Sequence, residues 1–89
     1  MSQQRWFVYI IRAADHSLYT GISTDVDRRF EQHGAGKGAK YLKGRSPIKL
    51  VFEQEIGEHG DALRLEHWVK QQPKHIKEEI VSRQVVLAY

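Results

Sequence analysis

The sequence predicts an α+β fold in which a three-stranded antiparallel sheet is flanked by helices, in the order β-β-α-β-α-α. Three segments have the aromatic and β-branched composition or the alternation of strands, and three others have the capping residues and apolar spacing of helices. No connection forces a strand–helix–strand crossover, so we expect the strands to be antiparallel. The 89 residues suit one domain, residues 1–89, with no room for a second.

The first two strands are predicted to form a hairpin. Trp6–Arg12 and Leu18–Ile22 have strand composition, and residues 13–17 between them read as a turn. Side chains alternate across a strand, so successive residues of the first strand belong to opposite faces of the sheet. One face would carry Trp6, Val8 and Ile10, and the other would carry Phe7, Tyr9 and Ile11.

A helix is predicted to follow the hairpin. Thr24 is a suitable N-cap, and Asp27 three residues later would complete a capping box. Val26 and Phe30 are four residues apart, which places them on one buried stripe. Gly34 is expected to end this helix.

The second half of the chain reads as one strand and two helices. Ile48–Glu55 alternates as a third strand, and Asp61 is a suitable cap for a helix over Ala62–Gln71. Pro73 is favourable as the first residue of a last helix. The apolar segment Val85–Leu87 is either a fourth strand or a strap across the core.

Composition excludes several classes of protein. The chain has no cysteine, which removes disulfides, thiolate metal sites and cysteine nucleophiles. No apolar run approaches the roughly 18 residues of a membrane span, and the first apolar segment is too short for a signal peptide, so we expect a cytoplasmic protein without membrane contact. The histidines do not form a His-Glu-x-x-His zinc motif, and the glycines at 34, 36 and 38 follow a helix instead of a strand, unlike a dinucleotide site.

Positive charge is concentrated in one stretch. No acidic residue lies between Glu31 and Glu53, and within this stretch residues 39–42 are expected to form one helical turn. A one-sign segment in a mixed chain indicates a polyanionic partner, although a solvated basic loop has the same composition. The candidate nucleic-acid-binding residues are Lys37, Lys40, Lys43, Arg45 and Lys49.

Glu66 is the first candidate for chemistry. It lies along the inward stripe of the Ala62–Gln71 helix, between Ala62 and Val69. A carboxylate that faces a core requires a metal ion, a cation or a proton. The alternative to a metal ion is Lys70, which is four residues downstream in the favourable order for a helical ion pair.

Four further side chains are candidates. Arg29 and His33 are four residues apart on the flank of the first helix, and an arginine beside a basic loop suits a phosphodiester. Tyr9 and Tyr19 lie on the two strands of the hairpin, where they could share a face, and Gly21 allows close approach to the backbone. The structural alternatives are a surface arginine and a cross-strand aromatic pair.

Together these residues resemble the GIY-YIG nuclease family, and its small stand-alone bacterial members in particular. Phe7-Val8-Tyr9 and Tyr19-Thr20-Gly21 stand in the places of its two tripeptides, and Arg29-Phe30 with His33 resembles its first-helix pattern. Glu66 resembles its metal-ligand glutamate. Phe7 departs from the first glycine and Thr20 from isoleucine, but every chemical side chain is present.

The resemblance implies a divalent-metal-dependent endonuclease that hydrolyses DNA, with a role in repair or recombination. Glu66 would hold one Mg²⁺ or Mn²⁺ ion, and Tyr9 would orient or deprotonate the attacking water. Arg29 would neutralise charge on the phosphorane, with Tyr19 and His33 completing the hydrogen-bond shell. We expect a monomer, and a protein partner for targeting is left open. The alternatives are an inactive nucleic-acid-binding module and a small structural protein.

Overall fold

The computed structural model describes residues 4–88 and confirms the α+β architecture. In the described residues, three strands and three helices follow one another in the predicted order. The elements are β1 (Trp6–Arg12), β2 (Leu18–Ser23), α1 (Val26–Gly34), β3 (Lys49–Gly57), α2 (His59–Gln71) and α3 (Lys74–Arg83), with a 3₁₀ turn at Lys40–Leu42.

The sheet has the strand order β2-β1-β3, and both pairs of neighbours are antiparallel. The first strand therefore lies at the centre, where its backbone is hydrogen-bonded on both sides. In this register Tyr9 is opposite Gly21 on β2 and opposite Glu53 on β3. The central position of β1 explains why it is the most apolar segment of the chain.

The two faces of the sheet carry separate hydrophobic clusters, divided as the alternation predicts. Val8 and Ile10 pack with α2 and α3 on one face. Tyr9 and Ile11 pack on the other face with α1, through Val26 and Phe30, and with the 3₁₀ turn. The first and second helices thus cover opposite faces, which decides how the candidate site can be assembled.

Two helices begin at residues other than those predicted. The cap of α1 is Asp25, whose side chain accepts a hydrogen bond from the backbone N–H of Arg28 at 3.1 Å, so the capping box from Thr24 is wrong. The second helix begins at His59, before the expected cap Asp61. The strand β3 ends at Gly57, whose φ of 112° turns the chain directly into the helix.

The last helix and the tail are held to the sheet by polar contacts. Arg12 on β1 donates two hydrogen bonds to the Glu78 carboxylate of α3, at 2.8 and 2.6 Å. The side-chain amide of Gln54 on β3 both donates to the backbone carbonyl of Leu87 and accepts from its N–H, at 3.1 and 2.7 Å. Because Leu87 is buried and residues 85–88 contain no strand, the tail is a strap, one of the two predicted alternatives.

The helices of the described residues are short and amphipathic. The longest, α2, has 13 residues, and one of its faces is polar. None of the helices within residues 4–88 is long and apolar enough to cross a membrane.

Candidate active site

Tyr9 lies at the centre of the candidate site, on the face of β1 that α1 covers. Its side chain is buried and crosses the edge strand over Gly21, where an added Cβ would lie 2.5 Å from the Tyr9 hydroxyl. Only glycine leaves this space, because real Cβ atoms do not approach other atoms so closely. Gly21 therefore permits close approach, as the sequence indicates, and the group that approaches is the Tyr9 ring.

His33 is the hydrogen-bond partner of Tyr9. Its Nε2 atom is 2.8 Å from the Tyr9 hydroxyl, in a buried contact between α1 and β1. Its other ring nitrogen, Nδ1, accepts a hydrogen bond from the backbone N–H of Ala39 at 3.0 Å. Since a backbone N–H is always a donor, the neutral ring carries its hydrogen on Nε2 and donates it to the tyrosine oxygen.

The loop after α1 is built closely around His33. A Cβ on Gly38 would lie 2.0 Å from Nδ1 of His33, so this position must remain glycine for Ala39 to reach the ring. The sequence indicates only a flexible basic loop here. In the structure the loop fixes the orientation of the imidazole ring, as an outer-shell group does for a catalytic histidine.

Burial and neighbouring charge set the ionisation of this pair. Burial raises the pKa of Tyr9 to about 12, Tyr19 and Glu66 add to the rise, and Arg29 opposes it by hydrogen bonding and charge. Burial, and then the positive charge of Arg29, lowers the pKa of His33. At neutral pH the histidine is therefore neutral and the phenol is protonated, and the donors around the phenol oxygen favour its ionisation.

Arg29 is half-buried on the flank of α1, while Arg28 beside it faces solvent, as predicted. Its guanidinium donates to the side chain of Gln32 at 3.0 Å. Because its charge acts on both Tyr9 and His33, it lies at the same site. A fixed guanidinium at this place can bind a phosphate oxygen through its remaining donors.

Tyr19 joins the site from the edge strand. Its ring centroid is 6.4 Å from that of Tyr9 and 5.5 Å from that of His33. On its other side, the ring of Tyr41 stacks on it at 6.0 Å, with an interplanar angle of 25°. Tyr41 is absent from the sequence-based candidates, because a tyrosine in a basic loop carries no spacing that links it to a strand.

Glu66 reaches the site from the opposite side of the sheet. The helix α2 covers the other face and also packs along the edge strand β2, so its Glu66–Lys70 flank lies beside Tyr19. The Lys70 ammonium is 3.2 Å from the Glu66 carboxylate and 6.0 Å from the centre of the Tyr19 ring. The structural alternative for Glu66, an ion pair with Lys70, is therefore present.

The donor set around Glu66 is compatible with a hard divalent cation. Within residues 4–88, histidine, cysteine and acidic side chains nowhere gather in threes that could enclose a metal ion. Mg²⁺ commonly keeps several waters and binds proteins through only one or two carboxylates plus substrate phosphates. One carboxylate, 17% exposed and next to an arginine that suits phosphate, fits that mode of binding.

The basic residues do not all belong to this site. Lys37, Lys40 and Lys43 are exposed on or next to the loop that holds His33. Arg45 is paired with Asp15 in the β1–β2 turn, which compensates its charge. Lys49 lies between two residues of the Tyr9 cluster on β3, so strand alternation directs it to the opposite face.

Comparison with known proteins identifies the domain type. The pattern of the GIY-YIG catalytic domain matches residues 5–79, which is most of the chain. A UPF0213 protein of Klebsiella pneumoniae is 60% identical over 77 residues, covering 86% of this chain and 73% of that protein. The UPF0213 protein YhbQ of Escherichia coli K12 is 53% identical over 77 residues, covering 86% and 77%.

Two solved structures share the architecture. The NMR structure of the UPF0213 protein BH0048 from Bacillus halodurans superposes with a TM-score of 0.58 and is 45% identical, covering 88% of this chain and 83% of that one. The protein EF2693 from E. faecalis superposes with a TM-score of 0.64 at 24% identity, covering 100% and 98%, and supports the fold alone.

Proposed function

The chain belongs to the GIY-YIG family, whose members are generally nucleases, and we propose that it is a divalent-metal-dependent endonuclease that hydrolyses DNA. The observation that carries the proposal is the buried hydrogen bond between Tyr9 and His33, with Arg29 beside it. Three polar groups are held in fixed geometry where a purely structural account needs none. Such pre-organised groups are typical of sites that stabilise developing charge.

In this proposal Tyr9 activates the attacking water. The phenol must accept a proton in the transition state, which requires phenolate character that its burial opposes. His33 lowers this cost by donating its Nε2 hydrogen to the phenol oxygen, and Arg29 lowers it by its charge. Arg29 would also bind the scissile phosphate as its negative charge increases.

Glu66 would hold one Mg²⁺ or Mn²⁺ ion, which supplies charge stabilisation at the leaving oxygen when it is bound. Lys70 now lies on that carboxylate, so it must give way when the ion binds. The exposed loop lysines would contact the DNA backbone without reading its sequence. A role in DNA repair or recombination, through structured DNA, is part of the proposal.

A second candidate is a nucleic-acid-binding module without catalysis. The observation that favours it is the Lys70–Glu66 ion pair, which satisfies the carboxylate without any metal ion. This module would keep the exposed lysines, and the Tyr9–His33 hydrogen bond would serve only to fix the loop. The two candidates agree on binding and differ on cleavage.

The deciding experiment is incubation with labelled single-stranded, duplex, nicked and branched DNA, in Mg²⁺, in Mn²⁺ and in EDTA. The nuclease proposal predicts metal-dependent products from at least one of these substrates, and their loss in the Tyr9→Phe variant. Binding of the same DNA without cleavage under any condition would refute the nuclease and support the module.

A further inference from the structure

Tyr41 is an exposed aromatic residue held in a fixed position beside the candidate site. Its side chain is 40% exposed, although neighbours constrain the ring on two sides. Tyr19 stacks on it with centroids 6.0 Å apart, and the guanidinium carbon of Arg45 lies 4.4 Å from the ring centre. Arg45 is in turn held by its ion pair with Asp15.

Packing of the 3₁₀ turn does not account for this arrangement. Leu42, the next residue, is buried and supplies the contact of the turn with the Tyr9 cluster. Tyr41 belongs to neither core, and no hydrogen bond of its hydroxyl anchors it among the contacts of the described residues. A ring ordered in this way presents a rigid apolar surface to solvent, which saves the cost of ordering it when a ligand binds.

The location of the ring indicates its ligand. Through Tyr19 it is one aromatic residue away from the Tyr9–His33 pair, whose rings lie 6.4 and 5.5 Å from Tyr19. Lys40 and Lys43, both exposed, flank it along the chain. An aromatic surface between lysines, next to a site for a phosphodiester, is the combination that binds single strands by stacking and charge.

We infer that Tyr41 is a stacking platform for an unpaired nucleobase next to the scissile phosphate. The inference rests on the proposed nuclease function and narrows its substrate class to nucleotides whose bases are unpaired, as in single strands, flaps and loops. In a continuous duplex both faces of each base are covered by neighbouring pairs, so a ring at the surface gains nothing unless the base is extruded.

Equilibrium binding tests the platform in EDTA, where cleavage does not occur. The ligands are a single-stranded thymidine oligonucleotide, an abasic strand with the same number of phosphates, and a hairpin-closed duplex. Loss of one stacked base in Tyr41→Leu should weaken binding of the thymidine strand roughly 5- to 150-fold. Binding of the abasic strand and of the duplex should change less than about twofold, since their phosphate contacts remain.

Matched variants separate stacking from folding. Tyr41→Trp should retain the affinity of the wild type for the thymidine strand, because indole stacks at least as well. Trp68→Leu removes an aromatic ring of similar exposure, 46%, that lies against the C-terminal tail, and should change nothing. Thermal unfolding of each variant shows that it is folded at the temperature of the assay.

The contrary results are equally defined. Equal weakening of all three ligands by Tyr41→Leu, or equal affinity of the wild type for the thymidine and abasic strands, would overturn the platform. Neither result bears on cleavage. Failure of the nuclease proposal has a different signature, which is base-dependent binding with no cleavage of any DNA in the presence of Mg²⁺ or Mn²⁺.

Discussion

Glu66 and Lys70 form one ion pair, so replacing either member removes the same contact. If the pair is only structural, Glu66→Ala and Lys70→Ala should have equal consequences. If Glu66 is a metal ligand, the consequences are opposite, because Lys70→Ala removes the cation that competes with the metal ion. We predict that Glu66→Ala abolishes metal binding and cleavage, and that Lys70→Ala leaves cleavage intact and tightens metal binding.

The geometry sets the stability change for both variants. The two charges are 3.2 Å apart, and the side chains are 17% and 50% exposed, so solvent screens the pair. Exposed helical pairs at this spacing contribute about 0.3–0.5 kcal/mol. For a domain of this size that corresponds to a decrease of roughly 1–4 °C in melting temperature. The sequence alone suggested that a structural pair would be distinguished by a large loss of stability, and the exposure of Lys70 removes that distinction.

The assay therefore measures binding of the metal ion instead of stability. Mn²⁺ binding is followed by electron paramagnetic resonance for the wild type and both variants, with initial cleavage rates measured in parallel. Equal melting temperatures with Mn²⁺ binding lost only in Glu66→Ala would support the ligand. Unchanged Mn²⁺ binding in Glu66→Ala, or equal loss of cleavage in both variants, would refute the reasoning.

Three further predictions concern the loop after α1. Gly38→Ala should lower the melting temperature by roughly 5–20 °C and impair cleavage, because its Cβ would lie 2.0 Å from His33 and leave a buried polar atom unpaired; Gly34→Ala, which meets nothing within 4 Å, is the control, and equal effects would be contrary. The lowered pKa of His33 means that its contribution to stability is complete above a pH of about 6.5 and is lost as the pH falls below it. Melting temperatures between pH 5 and 8 should therefore fall more steeply for the wild type than for His33→Gln, and parallel curves would contradict this. Alanine at the three exposed lysines should flatten the salt dependence of duplex binding by roughly 0.9 per lost contact, and an unchanged slope would exclude them; they are Lys37, Lys40 and Lys43.

Much of the fold could be predicted because strand patterning is local. The two-residue alternation of Trp6–Arg12 assigns each side chain to its face, and the structure agrees. Helix starts were less predictable, since Thr24 and Asp25 are both good caps and only the turn geometry selects the second. The early start of α2 depends on Gly57, whose positive φ allows the strand to pass into the helix without a loop.

The candidate site was predictable by residue type but not by its connections. Tyr9 and His33 are 24 residues apart, and their hydrogen bond exists only because α1 folds over the hairpin. The contact of Gly38 with the histidine depends on a loop conformation that no spacing rule encodes. The grouping of Lys49 with the other basic residues failed because charge runs carry no information about which face a strand residue takes.

The role of Tyr9 is the central claim of this account, and Tyr9→Phe tests it most directly. The variant removes one oxygen and leaves the Nε2–H of His33 unpaired, at a cost of about 1–3 kcal/mol, so the comparison requires a temperature at which both proteins are folded. The measurement is the single-turnover cleavage rate of the best DNA substrate in saturating Mn²⁺. The account predicts a loss of roughly 10²- to 10⁴-fold with DNA binding retained. A rate within about twofold of the wild type would contradict it.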